Sequence, residues 1–172
     1  IHDITANGLV DVASNGNLNV KSDVTNTANG NITMTAEKSI TVNGTMSNTD
    51  AADSFTDKGN IILSARNNVK LDEDAVLKAK MVNLVASAVR KEGEQAAAGS
   101  ISQDANGQIV SDKVIAAAMN GIDIGSAKNT LKTVDLANMD KGDIKIGNDG
   151  TYNLDIIMGH SNDGKIDIYN YN

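Results

Sequence analysis

Acidic side chains are the most frequent charged groups in this chain, with 22 Asp plus Glu against 15 Lys plus Arg, and Asp72-Glu73-Asp74 is their densest run. Paired carboxylates cut glycosidic bonds and clustered ones bind calcium, so both chemistries are weighed first. Either one needs two acids side by side. The strand spacing set out below points Asp11, Asn19, Thr33, Thr41, Ile62, Lys70, Asn83, Asp123, Lys145 and Asp167 outward, and it sets Lys145 between Asp123 and Asp167. Arginine is confined to Arg66 and Arg90. No catalytic residue is therefore assigned, and the chain reads as a non-enzyme. The turns Gly147-Asn148-Asp149-Gly150 and Asn162-Asp163-Gly164 share residue types with calcium-binding nonapeptide turns, but they lack the doubled glycine and the nine-residue tandem copies. Asn-Gly and Asp-Gly steps serve ordinary turns, where φ is positive. Neither a metal nor a cofactor is expected.

Other chemistries fall to composition. His2 and His160 are the only histidines, and cysteine is absent. That removes disulfides, a thiolate nucleophile and cysteine metal sites. A net charge of −7 opposes binding to a phosphate backbone, so no nucleic-acid partner is expected. No apolar run approaches the roughly 20 residues of a membrane span, so this segment is not expected to insert into a membrane. What remains is surface contact. The rings of Tyr152, Tyr169 and Tyr171 suit stacking on a sugar, and the candidate binding residues are Arg90, Lys91, Glu92, Glu94 and Tyr152.

The elements that would position these groups come from internal repeats. Asn120-Gly121-Ile122-Asp123-Ile124-Gly125 recurs as Gly142-Asp143-Ile144-Lys145-Ile146-Gly147 and again as Gly164-Lys165-Ile166-Asp167-Ile168, offset by 22 residues each time. Near the start, Gly8 maps onto Gly30, Val10 and Val12 onto Ile32 and Met34, and Leu18 and Val20 onto Ile40 and Val42. A further copy follows at an offset of 29, where Gly30-Asn31-Ile32 aligns with Gly59-Asn60-Ile61. Each unit holds two short alternating segments, apolar–polar–apolar, bounded by Gly, Asn and Asp. Such segments read as half-buried strands.

Tiny strands at a period near 22 residues predict an all-β fold, a parallel β-helix, and starts near residues 8, 30, 59, 80, 99, 120, 142 and 164 give about eight coils. At about 4.8 Å per rung the rod is roughly 35 Å long. Ile122, Ile144 and Ile166 would form one buried ladder, and Ile124, Ile146 and Ile168 the next. The lack of proline fits, since each rung must donate its N–H groups to its neighbour. The surplus residues place an inserted loop at 43–58. Residues 86–119 match the repeat poorly and read as irregular coils or a projecting loop, with a helical excursion over 89–98. The whole of 1–172 reads as a single segment cut from a longer protein, because Ile1-His2-Asp3 opens without methionine.

The phrases Gly30-Asn-Ile-Thr-Met-Thr-Ala-Glu-Lys-Ser-Ile-Thr-Val-Asn-Gly44 and Gly59-Asn-Ile-Ile-Leu-Ser-Ala-Arg-Asn-Asn-Val-Lys-Leu71 resemble the repeats of filamentous-haemagglutinin-type exoproteins. The resemblance covers about residues 8–85 and 120–172. It implies a right-handed parallel β-helix and a secreted or surface-displayed bacterial adhesin, exported by two-partner secretion or as an autotransporter passenger. The implied partners are an outer-membrane transporter during export and a host-cell or bacterial surface receptor, glycans included. Two alternatives stand beside it: a carbohydrate-active β-helix enzyme and a phage tail-fibre segment.

Overall fold

The computed structural model describes residues 1–48, 59–87 and 97–171. Its strands run β1 (Ile4–Ala6), β2 (Val10–Ser14), β3 (Leu18–Val20), β4 (Val24–Asn26), β5 (Ile32–Ala36) and β6 (Ile40–Val42). Next come β7 (Thr45–Ser47), β8 (Asn60–Ala65), β9 (Val69–Leu71), β10 (Val76–Ala86), β11 (Ile101–Gln103) and β12 (Gln108–Ala118). The last are β13 (Ile122–Ile124), β14 (Thr130–Lys141), β15 (Ile144–Asn148), β16 (Asp155–Asp163) and β17 (Ile166–Asn170). Among the described residues there is no helix.

Alternation is what makes these segments strands. In β5, Ile32, Met34 and Ala36 turn inward and are fully buried, while Thr33 and Thr35 between them are half-buried. All pairings are parallel. One sheet holds ten strands, with the path β1-β4-β7-β10-β12-β14-β16 and a second arm β2-β5-β8 that joins at β10. The other holds seven, in the order β17-β15-β13-β11-β9-β6-β3. Neither closes into a barrel. β10 serves both arms, because residues 76–78 pair with β7 and residues 81–86 with β8.

Register gives the spacing directly. Paired residues stand 22 apart at Val10 and Ile32, 29 at Ile32 and Ile61, 21 at Ile61 and Val82, and 32 at Val82 and Val114. They then stand 20 apart at Val114 and Val134 and 22 at Val134 and Ile156. In the seven-stranded sheet Ile122 pairs with Ile144 and Ile144 with Ile166, as the repeat predicts. Burying each large aliphatic side chain contributes about 1.5–3 kcal/mol, so the ladders carry the stability.

Three expectations change. The sequence shows two segments per unit, whereas the structure adds a third short strand, first β4 and then β7. Residues 43–58 are therefore not all loop: Met46 of β7 is fully buried and pairs with both Val24 and Leu77. The rest of that stretch, 49–58, lies outside the described residues. The middle is also regular where described. β11 and β12 sit in register with neighbours on both sides, and the surplus of the 32-residue step falls between Ala86 and Ile101.

Polar residues also reach the interior. Asn26, Asn48, Asn129, Asn138 and Asn148 have no exposed surface, yet each is hydrogen-bonded at a corner of the chain. Asn138, for example, donates through Nδ2 to the carbonyls of Lys141 (2.9 Å) and Gly142 (2.7 Å) and accepts from the Gly121 N–H (2.8 Å). Corners cannot complete the ladder bonds alone, and the amide side chains supply what is missing.

Candidate functional site

A groove of about 500 Å³ opens on the outside of the first sheet, lined by Asn29, Asn31, Gly59, Asn60, Lys80, Met81, Asp112 and Lys113. Register builds it. Met81 pairs with Asn60 on one side and Lys113 on the other, so three successive strands bring these side chains into one row. Asn31 continues the row, its Oδ1 accepting the Asn60 N–H at 2.9 Å. Gly59 keeps the floor low: a Cβ there would lie 1.9 Å from the Gly30 carbonyl oxygen.

Beside the groove runs a band of charge. Asp112 Oδ1 meets Lys132 Nζ at 2.5 Å, and Lys132 Nζ also lies 4.8 Å from the centre of the Tyr152 ring. The hydrogen bond that Lys132 donates to Asp112 holds the ammonium pKa above its ordinary value, against a smaller opposing effect of burial. Lys113 Nζ is 4.0 Å from Asp135 Oδ2. The groove and the band share Asp112 and Lys113. Together they present amides, ammonium groups and one half-covered aromatic ring, which suits hydrogen bonding to hydroxyl and carboxylate groups.

A second cleft, about 320 Å³, lies over the seven-stranded sheet, with Asp123, Asp143, Lys145 and Asp167 among its lining residues. Lys145 sits between Asp123 and Asp167 in register, as predicted. Its chain crosses the space in front of Gly125, where a Cβ would lie 2.7 Å from Lys145 Cε. The acids here serve turns: Asp123 Oδ1 accepts the Gly125 N–H at 2.9 Å, and Asp143 Oδ1 the Lys165 N–H at 2.8 Å. Asp72 of the acidic run is 2.6 Å from Lys70, whose ammonium that hydrogen bond raises. Among the described residues no group of three or more His, Asp or Glu is placed to hold a metal ion. No helix there is long and apolar enough to cross a membrane.

Of the candidate binding residues, Tyr152 is on this surface, 44% exposed. Arg90, Lys91, Glu92 and Glu94 lie outside the described residues. Tyr169 and Tyr171 stack on each other instead, with ring centres 6.2 Å apart. Asp11, Asn19, Lys70, Asp123, Lys145 and Asp167 are exposed as anticipated, and Thr33, Thr41, Ile62 and Asn83 are half-buried. Sequence reasoning missed the groove, because its wall comes from four separate segments whose common signal is only the outward position before an inward residue, filled by Asn31, Asn60, Met81 and Lys113.

No family model, no curated protein and no solved structure matches the chain.

Proposed function

We propose that this chain is a right-handed parallel β-helix of about seven turns with a period near 22 residues, serving as a stiff binding segment of a secreted or surface-displayed bacterial adhesin. Handedness follows from the general rule for parallel crossovers. The turn count follows the seven strands of the second sheet. The resemblance to filamentous-haemagglutinin-type repeats supplies the adhesin setting, together with export through an outer-membrane transporter. One observation carries the binding role: the row Asn31, Asn60, Met81 and Lys113 gathers contact groups on the outer face while the ladders beneath stay apolar. A rigid row of that kind binds with little ordering cost. The partner that fits is a surface glycan, whose hydroxyls meet the Asn amides and whose acidic groups meet Lys80 and Lys113.

The test is binding of the chain to a broad panel of glycans and host-matrix proteins. Binding should fall about tenfold or more in a Lys80→Ala/Lys113→Ala variant and less in Tyr152→Ala. Binding that ignores both variants would move the contact elsewhere. No binding by a folded, β-rich sample would leave a spacer whose work is length and stiffness.

A further inference from the structure

Asparagine followed by glycine is a pair prone to self-modification, because no Cβ shields the glycine nitrogen from the asparagine side-chain carbonyl carbon. When that nitrogen attacks, a C–N bond forms and ammonia leaves. The resulting cyclic imide takes up water and opens as isoaspartate or aspartate. A neutral amide thus becomes a carboxylate with no reactant besides water. Attack needs a glycine N–H that is free to lose its proton and a side-chain amide that is free to swing.

Such steps occur at Asn7, Asn15, Asn29, Asn43, Asn106 and Asn120, and the structure divides them. At four of them the glycine N–H is engaged. Gly8 donates to Asn26 Oδ1 (3.0 Å), Gly16 to Ser14 Oγ (3.2 Å), Gly107 to the Asp104 carbonyl (3.0 Å) and Gly121 to Asn138 Oδ1 (2.8 Å). Two of these asparagines are also held: Asn106 Oδ1 accepts from Lys128 Nζ (3.0 Å), and Asn120 Nδ2 donates to the Ala98 carbonyl (3.4 Å). The N–H groups of Gly30 and Gly44 have no acceptor among the described residues, and Asn29 and Asn43 are exposed without a side-chain hydrogen bond there. Gly30 is fixed through its other side. Its carbonyl accepts from Asn26 Nδ2 (2.8 Å) and Asn48 Nδ2 (2.7 Å), and a Cβ on it would lie 2.0 Å from the Gly8 carbonyl oxygen. Packing therefore demands glycine at 30, whereas no hydrogen bond among the described residues holds the Asn29 side chain.

We propose that Asn29 is a self-modification site, at which attack by the Gly30 nitrogen turns one wall of the groove from amide to carboxylate. Asn43 shares the free glycine N–H but does not line the groove, so it reports the same chemistry without the same consequence. That consequence rests on the glycan reading above. Asn29 lines the groove together with Lys80 and Lys113, and a new negative charge among them repels the acidic groups that those ammonium ions attract. The groove loses affinity for acidic glycans as the protein ages.

Peptide mapping by mass spectrometry, on the folded 172-residue chain held at mildly alkaline pH, gives the conversion rate at every Asn-Gly step. An engaged N–H must first break its hydrogen bond, so Asn29 and Asn43 should convert about fivefold or more faster than the other four. In urea all should converge, since glycine follows each asparagine, and Asn29→Gln should silence its site because the ring it must close forms more slowly. Conversion at Asn29 no faster than at Asn7, Asn15, Asn106 and Asn120 in the folded chain overturns the proposal. Asn29→Asp, which carries the charge from the start, should bind polygalacturonate several-fold more weakly than the unaltered chain, and Asn43→Asp should bind it equally well. Equal binding by Asn29→Asp overturns the effect on affinity. An unaltered chain that binds no polygalacturonate counts against the glycan reading, and the mass result then decides the modification site by itself.

Discussion

Gln103 and Asn129 exchange two hydrogen bonds between neighbouring turns of the chain: Gln103 Nε2 donates to Asn129 Oδ1 at 2.7 Å, and Asn129 Nδ2 donates back to Gln103 Oε1 at 2.9 Å. Asn129 is fully buried and also accepts the Ile109 N–H at 2.8 Å and donates to the carbonyls of Ile124 (2.9 Å) and Gly147 (3.2 Å). One side chain thus ties β11, β12, β13 and β15. Gln103 breaks the apolar alternation in the sequence, and this exchange accounts for it.

Asn129→Ala should therefore be costly. It strands a buried N–H and two carbonyls, each worth about 1–3 kcal/mol when unpaired. Urea unfolding should show a loss of about 3 kcal/mol or more with an unchanged slope. A loss under about 1 kcal/mol would mean that water replaces the amide and the corner is not closed.

The isoleucine ladders give a sharper contrast. Ile144 is fully buried between Ile122 and Ile166, so Ile144→Asp places a carboxylate where it can neither be solvated nor paired. The variant should unfold or aggregate. Asp123 is exposed, and Asp123→Ala should shift stability by only a few tenths of a kcal/mol. Equal melting of Ile144→Asp and the unaltered chain would disprove the inward assignment.

How much of this was legible follows from the same residues. Ile122, Ile144 and Ile166 were readable because identical neighbours recur at one spacing and alternation fixes which way they face. The third strand was not. It is three residues long, and in β4 its second buried position is Asn26, which a polarity pattern assigns to the surface. Of the coil starts read from the sequence, those at 8, 30, 59 and 80 precede strands of the first sheet, while those at 99, 120, 142 and 164 precede strands of the second.

Two glycines separate steric need from turn chemistry. Gly59 lies on Gly30, with a Cβ position 1.9 Å from a backbone oxygen, whereas around Gly16 nothing lies within 4 Å. Gly59→Ala must push two backbones apart and should cost about 1–3 kcal/mol. Gly16→Ala should be close to neutral. Thermal melting of the pair decides it, and equal behaviour would mean the close approach of residues 30 and 59 is not maintained in solution.

Acid sensitivity should trace in part to Asp149. Partial burial pushes its carboxyl up, but the Thr130 hydroxyl, at 2.6 Å, and the N–H and hydroxyl of Thr151 outweigh this and hold it below the usual 3.8. A carboxyl depressed by folding stabilises the folded state above its unfolded value, and that contribution disappears as pH falls through the lower folded value. Stability should thus decline below about pH 4. Asp149→Asn should be less stable at neutral pH and should lose less between about pH 5 and pH 2. Denaturant midpoints across that range give the comparison, and parallel curves for the two proteins would show that other carboxylates set the acid limit.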